Sequence, residues 1–131
     1  MSNFYLGSRS NDNLNGVHPD LVRVVELAIK ITPIDFGVTE GLRDIDTQKK
    51  YLSEGKSTTM NSKHLAQSDG YSHAVDLYCR DNKGNVTWKH EWFRLVIQSM
   101  FTAAIALGVQ IKAGGLWRTF QDSPHFEIVI S

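Results

Sequence analysis

Between Pro19 and Ile31 the apolar residues fall at Leu21, Val24, Val25 and Ala28, the spacing of a helix with one buried stripe. Pro19 suits a first helical position, Asp20 complements the positive end of the helix, and Pro33 stops it. Residues 36–39 then read as a short strand. Asp44 and Asp46 open a second helix that runs through Tyr51 and Leu52 to a cap at Gly55. Residues 56–70 (KSTTMNSKHLAQSDG) are polar and turn-rich and form a long loop, the kind of segment that in a compact domain often carries function. Period-two alternation returns at residues 72–78, followed by a turn at Asn82, Gly84 and Asn85 and a short strand near Val86 and Thr87. A long helix places Trp92, Val96, Met100, Ala103 and Leu107 on one face, flanked by Phe93, Ile97 and Ala104, and ends at Gly108. Strands at 109–112 and 125–130, around a Gly114-Gly115 turn, finish the chain. Helices and strands follow no strict βαβ alternation, so the expected fold is α+β: a small, mostly antiparallel sheet packed with about three helices.

Composition narrows the function. With 131 residues, 41% apolar and 21% charged, the expectation is one folded domain. Fourteen basic residues against fourteen acidic ones give a net charge of +0, which removes the electrostatic case for a nucleic-acid partner. The opening residues MSNFYLGSRSNDNLNG contain no apolar signal region. The longest apolar stretch, 92–107, is interrupted by Arg94, Gln98, Ser99 and Thr102 and is too short to span a bilayer, so no stable membrane association is expected. The single cysteine, Cys79, excludes an internal disulfide and a Cys-rich structural metal site.

The chemistry lies in the polar residues of strands. In HAVDLY, Val75 and Leu77 share one face, and Asp76 faces the other way with Ala74 and Tyr78. An aspartate is disfavoured inside a strand and costly to bury unpaired, so Asp76 calls for a cation, a metal or a set of hydrogen bonds. In the last strand Phe126, Ile128 and Ile130 share a face, which leaves His125, Glu127 and Val129 on the other. His64, in the loop leading to HAVDLY, is the third candidate. Two His and one Asp can supply N, N and O ligands to zinc and leave a fourth position for water, the composition of a catalytic site. Asp122, three residues before His125, stands where a general base could reach that water. Five His and fourteen acids also permit accidental triplets satisfied in turns, and spacing alone does not choose between the readings.

Taken together, GKSTTMNSKHL, HAVDLY, a glycine pair followed by Trp117, and DSPHFEI resemble the zinc peptidases that include phage endolysins cleaving the L-alanyl-D-glutamate bond of peptidoglycan. D-alanyl-D-alanine carboxypeptidases and dipeptidases are relatives on the same scaffold. The similarity extends from VHPDLVRVVELA to the last strand. It implies that His64, Asp76 and His125 hold Zn2+, that Asp122 is the catalytic base and that Arg43 stabilises the developing oxyanion, with a surface ion pair to Asp44 or Asp46 as the alternative for Arg43. Ser62 matches the signature serine, for which a local turn hydrogen bond is the favoured role. The stretch from His64 to Asp76 is longer than the family's spacing, so AQSDGYS reads as an insertion. Asp69 within it is a secondary candidate, as a ligand or as part of a site for a second ion such as calcium. His73 is a neighbour rather than a ligand, His18 a helix cap, His90 solvent-facing, Trp117 a core or rim aromatic, and Cys79 no nucleophile.

The resemblance further implies a zinc-dependent endopeptidase whose partner is bacterial peptidoglycan. Its rivals are a carboxypeptidase or dipeptidase specificity and a non-catalytic, zinc-stabilised wall-binding module. It also implies a monomeric single-domain lysin over residues 1–131 without a separate wall-binding domain. Such a lysin is made in the host cytoplasm, exported through a pore formed by another protein, and active on the wall from the periplasm.

Overall fold

The computed structural model describes residues 4–57, 59–117 and 121–130. Two helices precede the first strand: α1 (Ser8–Asn13) and α2 (Pro19–Ile31). The stripe on α2 is buried as its periodicity requires, with Leu21, Val24, Val25 and Ala28 at 0% exposure. His18 caps this helix, its Nδ1 accepting from Asp20 N at 3.1 Å. Hydrophobic spacing does not predict α1, whose sequence SRSNDN is polar throughout. It is held from outside: Ser10 Oγ accepts from Val38 N at 2.9 Å, and Asn13 Nδ2 donates to Val38 O at 2.8 Å. Tertiary hydrogen bonds here replace the amphipathic stripe that stabilises most helices.

The strands β1 (Phe36–Glu40), β2 (Ala74–Arg80), β3 (Val86–Thr87), β4 (Ile111–Ala113) and β5 (His125–Ile128) form one antiparallel sheet in the order β1-β2-β5-β4, with β3 also paired to β2. Between them run α3 (Ile45–Ser53) and the long α4 (His90–Leu107). Helices α2 and α4 pack on each other and against one face of the sheet. Val75, Leu77 and Cys79 of β2 and Phe126 and Ile128 of β5 point into that core. Asp76, Tyr78 and Arg80 alternate to the opposite, open face.

Several boundaries differ from the sequence expectation: β1 runs on to Glu40, β2 to Arg80 and β4 to Ala113, while β5 ends at Ile128. Strand β2 begins at Ala74 rather than 72, because Ser72 is engaged in bridges to Val17 and Ala66. Strand β4 starts at 111 rather than 109. The Gly114-Gly115 turn is a short 3-10 helix, Gly114–Leu116.

One close approach fixes the segment that follows β1. Gly41, just past β1, lies against the α1 carbonyl of Asn13, and a Cβ there would collide with that oxygen and with Val17 Cγ2. Gly41→Ala therefore overpacks a backbone contact that cannot yield by side-chain rotation. It is expected to lower stability by about 1–3 kcal/mol, measurable as a reduced urea midpoint in equilibrium unfolding.

Candidate metal centre and cleft

Antiparallel pairing sets Asp76 of β2 directly opposite His125 of β5. His64 reaches the same point from the 56–70 loop. Its Nε2 lies 3.2 Å from Asp76 Oδ1, and His125 Nδ1 lies 3.3 Å from the same oxygen. The two rings stand 5.2 Å apart and steeply inclined. One ligand atom from each of the three residues falls within 4.8 Å of the others, a group able to hold a metal ion.

The outward-facing ring nitrogens decide what the inward ones can do. His64 Nδ1 is 2.9 Å from Gly41 O, and His125 Nε2 is 3.0 Å from Glu127 Oε1. A carbonyl or carboxylate can only accept, so each of these outer nitrogens donates its proton, and a metal ion held at the trio would take the lone pairs of the inner nitrogens beside Asp76. Two nitrogen lone pairs and a carboxylate then converge on one point, a donor set that fits a divalent cation with its outer hydrogen bonds in place. A proton can take the place of a cation between these groups. Burial opposes a charged His125, yet its bonds to Asp76 and Glu127 push it up to about 9. Burial likewise opposes ionised Asp76, but His125 and His64 hold its carboxyl well below the usual carboxylate range.

The trio opens into a cavity of about 650 Å³ whose lining carries Arg43, Lys56 and Lys63 against Glu40, Asp76, Asp122 and Glu127. Asp122 faces this cavity. Burial and the charge of Asp76 raise its carboxyl pKa above the ordinary value, opposed by His125, His64 and Arg43. Its place is set by Gly114: Asp122 N donates to Gly114 O at 3.0 Å, and a Cβ on Gly114 would strike the Asp122 carbonyl and come within 3.1 Å of His125 Cβ.

Arg43 lines the same wall, but its ion pair is with Glu40 rather than with Asp44 or Asp46. Asp44 instead caps α3, accepting from Thr47 N at 2.6 Å. Arg43 also donates to Gln48 Oε1 at 2.7 Å and stacks 4.7 Å above the Tyr51 ring. Gln48, fully buried, ties the loop to this wall through Ser57 Oγ and Thr59 O. Glu40, Gln48 and Glu127 were not singled out from the sequence. Only the alternation of the last strand, which set Glu127 beside His125, gave a signal for any of them.

The remaining candidates resolve individually. Ser62 Oγ accepts from His64 N at 3.2 Å, a local turn bond. Asp69 lies outside the trio and accepts from His73 Nε2 at 2.8 Å, with His18 Nε2 3.9 Å away. His18 is poorly placed to join it as a metal ligand, because its Nδ1 lone pair is already used by Asp20 N. His90 is not solvent-facing: its Nδ1 lies 2.8 Å from Ser123 Oγ and pins α4 to the Asp122 turn. Trp117 is a rim aromatic, its ring 5.3 Å from that of His125. Burial, with the charge of Asp81, pushes the Cys79 thiol up to about 11, so it is no nucleophile.

Comparison with known proteins matches the chain to a family. The sequence model of the phage L-alanyl-D-glutamate peptidases matches residues 1–129. The chain is 28% identical over 129 residues to the L-alanyl-D-glutamate peptidase of Escherichia phage T5, covering 95% of this chain and 89% of that one. It is 26% identical over 110 residues to the peptidoglycan L-alanyl-D-glutamate endopeptidase CwlK of Bacillus subtilis, covering 73% of this chain and 62% of that one. The solved structure of the Serratia marcescens L-Ala D-Glu endopeptidase ChiX superposes with a TM-score of 0.85 at 36% identity, over 95% of this chain and 90% of that one. The chain belongs to the phage L-alanyl-D-glutamate peptidase family.

Proposed function

We propose that the cleft is the active site of a zinc endopeptidase that hydrolyses the L-alanyl-D-glutamate bond in the peptide stems of peptidoglycan. The observation that carries this reading is the convergence of His64 Nε2, His125 Nδ1 and Asp76 Oδ1, with both distal imidazole nitrogens tied. Family membership supplies the bond. His64, Asp76 and His125 would hold the zinc. When bound, zinc polarises the scissile carbonyl and acidifies a water.

The other steps belong to the chain's own side chains. Asp122, with its raised pKa, takes the proton of the attacking water and returns it to the departing amine of D-glutamate. Arg43, fixed by Glu40, Gln48 and Tyr51, lends a positive charge to the wall where the carbonyl oxygen becomes negative. Glu127 holds His125 in the tautomer that leaves Nδ1 free.

Digestion of purified peptidoglycan followed by mass spectrometry of the muropeptides is expected to yield stems with a new D-glutamyl amine, and a chelator is expected to stop their release. Release of D-alanine instead would assign a carboxypeptidase or dipeptidase specificity. Asp122→Ala is expected to reduce turnover by about 10²–10⁴-fold with zinc content unchanged by metal analysis, whereas His64→Ala and His125→Ala lose the metal as well. Near-normal lysis by the Asp122 variant would remove it as the base. Glu127→Leu is expected to weaken zinc binding by about 10–100-fold in competition with a chromophoric chelator, and Glu127→Gln, which keeps an acceptor oxygen, to recover most of that loss.

A further inference from the structure

A second groove of about 360 Å³ adjoins the metal cleft on the same open face of the sheet, and Thr39 lines both. Its aromatic residues are Tyr78 and Trp88, with Val86, Arg9 and Arg80 around them. Trp88 is 58% exposed and Val86 48%, so apolar surface lies open to solvent beside the polar cleft. The Tyr78 ring lies across Gly37, where any Cβ would meet it, so the glycine lets the ring lie flat against β1. Arg80 is committed to Gly84 O at 2.9 Å, and Asp35 lies nearby. Arg9 stands exposed at the edge.

The strand geometry gives the separation between the two sites. Asp76 and Tyr78 are two residues apart on β2 and project from the same face, about 7 Å along the strand. Thr87 pairs with Cys79, so Trp88, the next residue, flanks Tyr78. In the substrate, a single L-alanine, at most about 3.6 Å of chain, and a lactyl group of similar length separate the scissile carbonyl from the N-acetylmuramic acid ring. A sugar therefore begins where the aromatic groove begins.

We propose that this groove is a glycan subsite, which receives the N-acetylmuramyl sugar on the amino side of the scissile bond while the stem lies in the metal cleft. The inference rests on the L-alanyl-D-glutamate reading. The axial C–H groups of a pyranose are weakly positive and match the negative π-face of Trp88. Arg9 provides N–H donors for the N-acetyl and hydroxyl oxygens. Continuity through Thr39 favours this occupant over an unrelated partner, since whatever fills the groove meets the stem held next to it.

The test compares two substrates of the zinc-loaded enzyme: a disaccharide-tetrapeptide muropeptide, and the same tetrapeptide with N-acetylated L-alanine and no sugar. Cleavage of the sugar-bearing substrate is expected to be favoured in kcat/KM by about three- to tenfold. Trp88→Ala is expected to abolish that preference while the rate on the sugar-free peptide stays unchanged, and Trp88→Phe to restore most of it. Equal rates of the wild type on both substrates, or an equal loss on both in Trp88→Ala, would overturn the subsite and leave the endopeptidase reading intact. Failure of the wild type to release a D-glutamyl amine from either substrate would overturn both. NMR titration of the wild type with the free disaccharide supplies a readout independent of the variants' folding. Shifts centred on Tyr78 and the Trp88 indole support the subsite, and shifts elsewhere or none contradict it.

Discussion

One carboxylate oxygen, Asp76 Oδ1, faces two imidazole nitrogens at 3.2 and 3.3 Å, and much of the fold can be understood as what keeps that meeting in place. An aspartate on an open sheet face is tolerable only if its partners arrive in register. The β2–β5 pairing delivers His125 directly opposite. A slip of one residue would turn His125 into the core and bring Phe126 out, so the burial of Phe126 at 0% exposure and the assembly of the site are the same constraint. The hydrophobic core thus enforces the polar geometry.

The third member comes from a loop, and loops are held by polar bonds rather than by burial. His64 is gripped on both sides by the segment after β1: its Nδ1 binds Gly41 O, and Arg43 N donates to His64 O at 2.9 Å. Gly41 can serve this purpose because it has no side chain to push it off Asn13 of α1. A helix made of SRSNDN, which looks dispensable as a core element, therefore sits under one wall of the cleft. Gly114 acts similarly on the other wall, where its close approach to Asp122 and His125 brings the base and a ligand of the proposed reaction to the same cavity.

What could be read from the sequence divides along the same physical line. Elements whose reason is periodic burial were legible: the α2 stripe, the long α4, and the alternation that turned Asp76 and His125 away from the core. Features whose reason is a hydrogen bond to a distant residue were not. Helix α1 depends on Val38, the partner of Arg43 is Glu40 instead of its nearer acidic neighbours, and His90 turns to Ser123 thirty-three positions away. Spacing along the chain carries no information about such choices, because a polar side chain accepts whichever complementary group the core brings near. The trio was nameable as a pattern of residue types and through the family resemblance; of its outer partners, strand alternation set Glu127 beside His125, whereas Gly41 emerges only in three dimensions.

The long segment between His64 and Asp76 shows why extra length need not disturb a site. Within it the chain closes on itself: Gln67 N donates to Tyr71 O at 2.9 Å, Gly70 N to Gln67 O at 2.8 Å, and Ala66 bridges to Ser72. Asp69 braces this turn against His73, and Ser72 fastens its end to Gly16 near the start of α2. His73 N then donates to Lys63 O at 2.8 Å, which draws the two ends of the segment together beside His64. The added residues leave and return at nearly the same place, so the separation of His64 and Asp76 is set by those end contacts rather than by the number of residues between them. Lengthening such a loop costs little, about 0.6 kcal/mol per doubling. The backbone bonds at its base recover part of that cost. Asp69, the secondary candidate ligand, lies at the outer end of this closed turn, bound to His73, and the histidine stays at the centre.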